Sequence, residues 1–579
     1  MYQDAKRDRR ERESKWSTYW DYYNGKQWPM QQATIRARPS CNIIRSVIAT
    51  IIPIMTDTSP SFGVLARDPT DFQFAELMTD VLRVWWSRRA MNHVMVEGLM
   101  DATVTDVGIL KVTWDEELDD GLGDVSVTVC DPRNVYVPAG ASDFDRNCPW
   151  VIHEFFMSRG KLLLKFQDQE EAIRKADTYT KPLGISDGDT DRIHVISPVD
   201  RDIPAPDNVS PAGKVESDDL RVWEVWMDDD TVITEEQINE DETKVKIIKK
   251  KYPHGRFITV LPDSRSILQD VANPYKDGEK PFIRLIDCLV PRSFYGDGEV
   301  SPLMESQKMI NKIFSVIMDW ANLMANPCWI VDADSGVDPD MLTSQVGQII
   351  VKKPNTNVIR QDAPPVPPQL FELYHTLMQL VDQQSGVHDV TQGRKPTGIT
   401  AAAAIETLQE AAQTRVRLKE RNLLVSLTKL GRMVISRMLQ YYTEPRVISL
   451  TGRDDMAGTW PTYIRFLVEN IETNDGSMYR PNTQVVNYDQ GTNQYIEQPA
   501  VQGAPSIGEF ELDVTTGTSL PFIKQQRSDQ AIRLWENKGI DQEALLDVLE
   551  FPDKDEILNR MKQQAQAESQ AAPPPQGAM

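Results

Sequence analysis

The sequence predicts an α+β fold split into several subdomains, and three observations carry that prediction. At 579 residues the chain exceeds the size at which a single hydrophobic core stops growing. Before residue 300 and after residue 443, helical patterns mix with period-two runs separated by turn residues, the mark of antiparallel strands. Between Gly296 and Thr443 the order changes to helix, β-rich excursion, helix, short Gly/Pro loop and very long helix. That order suits a ring subunit lining a tunnel better than a compact enzyme with a pocket.

Taken in order, residues 1–24 read as a helix. Trp16, Tyr19, Trp20 and Tyr23 lie three and four apart and so share a face. That face either docks on the core or forms an arm touching another subunit. Asn24-Gly25 ends the helix, and Pro39 precedes an apolar helix from Asn42 to about Met55. Residues 71–105 form a long amphipathic helix or a pair, with Leu77, Val81, Leu82, Val84, Trp85 and Trp86 apolar. Residues 109–114 alternate, Asp119-Asp120-Gly121 and Gly123 turn, and Val125, Val127 and Val129 return, which predicts a hairpin closed by Asp131-Pro132. A strand at 150–156 and a helix at 158–166 follow. Residues 176–220 are polar and read as a surface insertion or mobile segment. Strands are expected at 220–227, 232–234, 243–252 and 257–261. After Pro445, strands are expected at 446–450, 463–468 and 510–514, and 472–508 reads as an Asn-, Gln- and Gly-rich loop or extension. Helices at 522–537, 542–549 and 553–570 precede a tail whose Ala571-Ala572-Pro573-Pro574-Pro575 composition predicts disorder.

The central segment has the clearest signals. A helix is expected over 301–326, with Ser301 as N-cap, Pro302 at the first helical position, Glu305 near the positive dipole end and Asn326-Pro327 as the stop. Its stripe of Met309, Ile310, Ile313, Phe314, Ile317, Trp320 and Met324 packs inside an ordinary core or, in a ring, against the neighbouring subunit. The excursion 327–367 combines a strand at 329–331, the acids Asp332, Asp334, Asp338 and Asp340, a strand at 348–352, the basic pair Lys352 and Lys353, and a proline-stiffened exit. A second helix at 368–385 ends at Gly386. The loop 386–398 carries Arg394 and Lys395 among its glycines and Pro396, and reads as a plain connection or a charged contact. The helix expected over 400–443 can reach about 66 Å at 1.5 Å per residue. Gly431 is its natural kink point. Arg415, Arg417, Lys419, Arg421, Lys429, Arg432 and Arg437 make it locally basic. They form either a solvated face or a patch facing DNA or an acidic neighbour.

Composition excludes several function classes. A net charge of −23 repels phosphate on average, unlike the basic footprint of a free nucleic-acid binder. Five widely spaced cysteines without a CxxC pair read as reduced thiols rather than a disulfide framework or zinc ribbon. The N-terminus leads into charge with no apolar signal region, and the apolar run 43–55 is too short to span a bilayer. A soluble protein without membrane partners is expected. No GxxxxGK[ST], HExxH or GxSxG motif occurs, and the six histidines lack ligand spacing. Asp187, Asp189 and Asp191 imitate the start of a calcium loop, but Arg192 stands where its glycine belongs. No enzyme activity, cofactor or metal is expected.

The collinear order of several stretches resembles the portal proteins of tailed double-stranded DNA phages. Tyr23-Asn24-Gly25-Lys26-Gln27-Trp28 followed by Arg38-Pro39-Ser40-Cys41-Asn42 is similar to that family's N-terminal entry. Val129-Cys130-Asp131-Pro132-Arg133-Asn134-Val135-Tyr136 resembles its wing hairpin. Phe294-Tyr295-Gly296-Asp297-Gly298, then Gln307-Lys308-Met309-Ile310-Asn311-Lys312, resembles its run into the stem. The resemblance implies a ring, usually of twelve subunits, at one capsid vertex of the virion, assembled in the host cytoplasm. It implies a wing at 1–300, stem helices at 301–326 and 368–385, a clip at 327–367, a tunnel loop at 386–398, a long wing helix at 399–443, a further β-rich wing part at 444–520 and a helical crown at 521–579. The stem would pack through Ile310, Ile313, Phe314, Ile317, Trp320 and Met324. His388, Gln392, Arg394, Lys395 and Thr397 would face double-stranded DNA. Asp334, Asp338, Asp340, Lys352 and Lys353 in the clip would meet the terminase large subunit and later head–tail connector proteins. Major capsid and scaffolding proteins are the other implied partners. The alternative is another phage head or tail structural protein, an adaptor or scaffold. Scaffolds are mostly helical and charged, without thirteen tryptophans, and adaptors are far shorter.

Overall fold

The structure is a computed structural model, and it describes residues 1–28, 36–56, 60–67, 71–176, 180–181, 215–216, 218–238, 244–325, 329–338, 340, 342, 349–360, 366–386, 414–450, 462–473, 476–489, 494–497, 501–502, 510–515, 531–532, 534–535 and 545. Helix α1 (Tyr2–Tyr23) buries Trp16, Tyr19 and Tyr22, so its aromatic face docks on the core. Helix α2 (Ile43–Thr56) buries Ile44, Val47, Ile48, Ile51 and Ile52 at helical spacing. The region 71–105 is a pair, α3 (Phe72–Arg88) and α4 (Met91–Thr105). Ala90, in the left-handed conformation at φ 47°, breaks the two apart.

Antiparallel sheets complete this half. The expected hairpin forms between Gly108–Asp115 and Asp124–Cys130, and Phe282–Leu285 pairs on the other edge of Gly108–Asp115. A five-stranded sheet runs in the order Ser266–Ala272, Arg256–Leu261, Asp219–Met227, Trp150–Ser158 and Val135–Tyr136. Short helices α5 (Arg159–Lys165) and α6 (Glu170–Lys175) cap the second small core, which is built on Leu162, Ile173, Leu220, Val222, Leu261 and Leu268. The hairpin Val232–Ile238 with Lys244–Lys250 links two strands of the five-stranded sheet.

The central helices are α7 (Val300–Ala325), α8 (Gln369–Ser385) and α9 (Thr414–Tyr441). Helix α7 begins one residue before the expected N-cap, so Ser301 sits in its first turn, where its Oγ accepts from the Tyr19 hydroxyl at 3.3 Å. Helix α8 ends as expected on Gly386, whose φ of 70° is the left-handed C-cap geometry that glycine adopts without steric cost. Helix α9 is the spine of the large core, burying Leu427, Leu430, Met433, Val434, Met438 and Leu439. Gly431 lies inside this continuous helix. A side chain there would meet Leu512 and Phe62 at 3.2 Å, so this glycine lets two strands approach the helix.

Two expectations are corrected, and one strand forms where none was expected. Ser61–Ala66 pairs antiparallel with Phe510–Thr515. The segment 472–508 is not merely a loop. Thr462–Thr473 and Gly476–Asp489 pair over eleven positions, and Gln494–Glu497 and Val501–Gln502 add to the same sheet as Arg446–Leu450. Residues 349–352 are not strand. The partner of Trp329–Val331 is Val358–Arg360. The expected crown helices lie almost entirely outside the described residues.

Candidate functional site

The candidate site is the α7–hairpin–α8 unit and the junction at its base. Each face of α7 does something different. One face packs into the protein: Leu303, Ile310 and Ile313 are buried, and Phe314 meets Tyr374 of α8 edge-on at 5.3 Å. Ser306 donates to Gln384 of α8 at 3.1 Å, and Leu377 and Val381 close that contact.

A second face is a polar ladder. Gln307, Asn311, Ser315 and Asp319 follow one another every four residues and so lie one turn apart. Together they bind the extended backbone before α2. Gln307 Oε1 accepts from Ile43 N at 3.0 Å, and its Nε2 donates to Cys41 O. Asn311 Oδ1 accepts from Cys41 N at 3.0 Å. Ser315 Oγ donates to Ala37 O at 2.6 Å, and Asp319 Oδ1 accepts from Ala37 N at 2.8 Å. Asn311 also donates to Gln27, which donates to Asn42. The resemblance-bearing runs around Gln27, Cys41 and Gln307 therefore meet in space. Removing a buried amide from such a network leaves its partners unsatisfied at about 1–3 kcal/mol each. Asn311→Leu is expected to cost at least that much, read as a lower denaturant midpoint. An unchanged midpoint would show that the ladder contributes nothing to stability.

The third face of α7 is apolar and open. Met309 and Val316 are about half exposed on it, as are Met318 and Met324 elsewhere on α7 and Phe371 and Leu373 on α8, with Leu380 slightly less so. Of the six residues expected to pack the stem, Ile310 and Ile313 are buried, Phe314, Ile317 and Trp320 are intermediate, and Met324 is exposed.

At the base, the turn 294–299 plugs into the end of α4. Gly296 N donates to Asp106 O, and Gly298 N to Asp106 Oδ1, both at 3.1 Å. Glu299 N donates to Thr103 O at 2.9 Å, and the Trp16 indole to Asp106 Oδ2 at 3.3 Å. Burial raises the Asp106 carboxyl above its usual range, with the Gly298 and Trp16 donors opposing that shift. The two glycines are needed for this close approach rather than for positive φ. A side chain on Gly298 would strike the Thr103 carbonyl, and one on Gly296 would lie 2.7 Å from Cys288 O. Gly298→Ala is expected to lower stability by about 1–3 kcal/mol through overpacking, and a thermal midpoint equal to wild type would refute that fit.

Beside this plug, Lys419 of α9 is 6% exposed and donates to Asp287 Oδ2 at 2.6 Å and to Glu299. Asp287, Cys288 and Glu299 are close enough together to suggest a metal site, but the Lys419 ammonium already pairs with both carboxylates. Arg437 is fully buried, pairing with Asp277 and lying 3.7 Å over the Tyr275 ring, and Lys429 pairs with Asp145 at 2.5 Å. Three of the basic residues of α9 thus face acids of their own chain. Their buried roles carry no signal in local sequence, because they look like their exposed neighbours.

At the far end of the α7–α8 unit, Asp334, Asp338, Asp340, Lys352 and Lys353 are all exposed around the short hairpin. Lys353 N donates to Ser335 O at 3.0 Å, and Lys352 Nζ to Thr356 O at 2.7 Å. Cross-strand partners Ile330 and Ile359 are about half exposed, and Ile349 and Val351 are 85% and 81% exposed. His388, Gln392, Arg394, Lys395 and Thr397 lie outside the described residues. Among the described helices none is long and apolar enough to cross a membrane.

A helical hairpin rooted in an α+β body, with its flanks and tip left apolar, is the form of an assembly subunit. The model of the phage P22-like portal protein family matches residues 2–579, and the chain belongs to that family. No curated protein matches it. Its function is that of a phage portal.

Proposed function

We propose that the chain assembles as a ring of twelve copies at one capsid vertex, with α7 and α8 as the stem and residues 327–367 as the clip. The supporting observation is the apolar surface left open on both α7 and α8. A single globule gains nothing from exposing Met309, Val316, Leu373 and Leu380 at once. A head-to-tail ring buries one flank of each copy on the opposite flank of the next, and such heterologous contacts close when the rotation permits. Residues 1–300 and 444–520 form the wing, 399–443 its long helix, 386–398 the tunnel loop and 521–579 the crown.

DNA must slide through such a channel during packaging and ejection. An acidic wall repels the phosphate backbone, and a sparse ring of Arg394 and Lys395 gives weak, salt-sensitive contact. The clip, with Asp334, Asp338, Asp340, Lys352 and Lys353 around its apolar tip, receives the terminase large subunit and then head–tail connector proteins. Scaffolding and major capsid proteins surround the wing. The chain itself performs no hydrolysis, so the ATPase is a separate protein.

Negative-stain electron microscopy with native mass of the full chain tests the ring. Rings with an axial hole and a mass near twelve times 65.8 kDa support it. A compact monomer that persists with scaffold and capsid protein present overturns it. Deleting residues 388–397 is expected to leave the ring intact and to impair packaging or retention of DNA. Failure to assemble would count against the tunnel-loop assignment.

A further inference from the structure

A cavity of about 250 Å³ lies between α1 and the 292–295 loop, away from the stem and clip. Arg9, Arg12 and Arg292 line it, against the single lining carboxylate of Asp8. In a chain of net charge −23 this is an unusual convergence.

The three guanidinium groups differ in how they are held. Arg9 is 2% exposed and fixed, donating to the carbonyls of Pro132 at 2.9 Å, Val135 at 2.7 Å and Arg133, and its buried Nε has no hydrogen-bond partner among the described residues. Arg12 lies over the Tyr295 ring at 4.9 Å and reaches Asp106 only at 3.9 Å. Glu13 stands 3.7 Å from Arg9, likewise longer than a charge-assisted hydrogen bond. Arg292 is exposed and makes no ion pair or hydrogen bond through its side chain among the described residues. It also holds a φ of 64°, a conformation in which asparagine or glycine is commoner than arginine. The Tyr136 and Tyr295 rings complete the wall, and burial pushes the Tyr136 phenol up to about 12, so it remains a neutral donor.

We propose that this cavity is an oxyanion site, closed by Arg12 and Arg292 over the fixed guanidinium of Arg9. Planar N–H forks match phosphate and carboxylate oxygens in pairs, and none of the three loses its charge at any physiological pH. Two sources supply such a group: free phosphate, or a carboxylate side chain of a neighbouring copy, since acids outnumber bases in this chain by 23.

The test uses the full chain in chloride buffer at constant ionic strength, with inorganic phosphate titrated against the thermal midpoint and against the assembled fraction by mass. Arg292→Asn removes the charge and keeps a residue at ease with positive φ. Arg12→Gln is the second variant, and circular dichroism checks the fold of each. Phosphate is expected to raise the wild-type midpoint, with at least a fivefold loss of apparent affinity in both variants. If phosphate binds without changing assembly, the ligand is the free ion. If phosphate and Arg292→Asn each lower the assembled fraction, the ligand is a neighbour's carboxylate. A midpoint that does not respond in wild type, with variants that assemble normally, overturns the site. So does an equal phosphate response in all three proteins. A chain that never assembles refutes the ring and leaves the phosphate titration as the test of the cavity.

Discussion

Replacing Lys419 with methionine is expected to cost about 3–5 kcal/mol of folding stability at neutral pH, the range found when one partner of a buried ion pair is removed. The substitution keeps the length of the side chain and deletes its charge. Asp287 is 1% exposed and Glu299 8%, and both accept from the Lys419 ammonium. Without it, two carboxylates share a site that water does not reach. The defect carries a pH signature. Burial lifts the Asp287 carboxyl from 3.8 to about 6, with Lys419 pulling it down and Glu299 pushing it up. Because the folded value lies above the unfolded one, the folded chain binds more protons between about pH 3.8 and 6. The stability this group contributes is therefore full below that window and lost as pH rises through about 6. Removing Lys419 moves the folded value further up. The variant's deficit is then largest near pH 7.5 and shrinks toward pH 5.5, as read from paired denaturant titrations. An equal deficit at both pH values would sink the account.

Trp320→Asp is expected to abolish ring assembly while leaving the subunit folded. Trp320 lies four residues after Val316 and eleven after Met309, which places all three on one stripe of α7. That stripe is open or half open in the single chain, so a carboxylate there remains hydrated in the subunit. In the ring the same carboxylate must be desolvated at every copy-to-copy contact. Large aromatic anchors at interface centres typically cost about 2–4 kcal/mol when lost, and a ring repeats the loss at each contact. Native mass and negative stain read the result, with circular dichroism confirming the fold. Normal rings from this variant would show that the stripe does not pack the stem. Trp320→Phe, which keeps the apolar body, is expected to assemble.

What could be read in the sequence follows the range of the forces involved. Helices α7 and α8 and the 108–130 hairpin are set by local caps, turns and periodicity, and they appear within a residue or two of expectation. The break between α3 and α4 has no proline or glycine to announce it, since the residue that takes the positive φ there is Ala90. The strand Ser61–Ala66 is short and finds its partner at Phe510–Thr515, a pairing that no local window contains. The Asn- and Gln-rich stretch after Glu472 looked like a loop by composition, yet its backbone pairs into long strands. Of the site, the apolar stripe of α7 was visible as periodicity. The ladder on its polar face was not, since Gln307, Asn311, Ser315 and Asp319 look like ordinary solvated positions until the strap they hold is known.

That ladder also fixes an order of events during synthesis. Its bonds to Ala37, Cys41 and Ile43 span 264 to 282 residues of chain. At about 5–20 residues per second of translation, the first forty residues wait roughly 14–56 s for their partners to leave the ribosome. Throughout that interval the parts of α1 and α2 that meet α7 have no native cover, although α4 reaches both helices much earlier. Helix α7, in turn, finds its strap already synthesised when it emerges, so this junction can close before α8 and the rest of the chain exist.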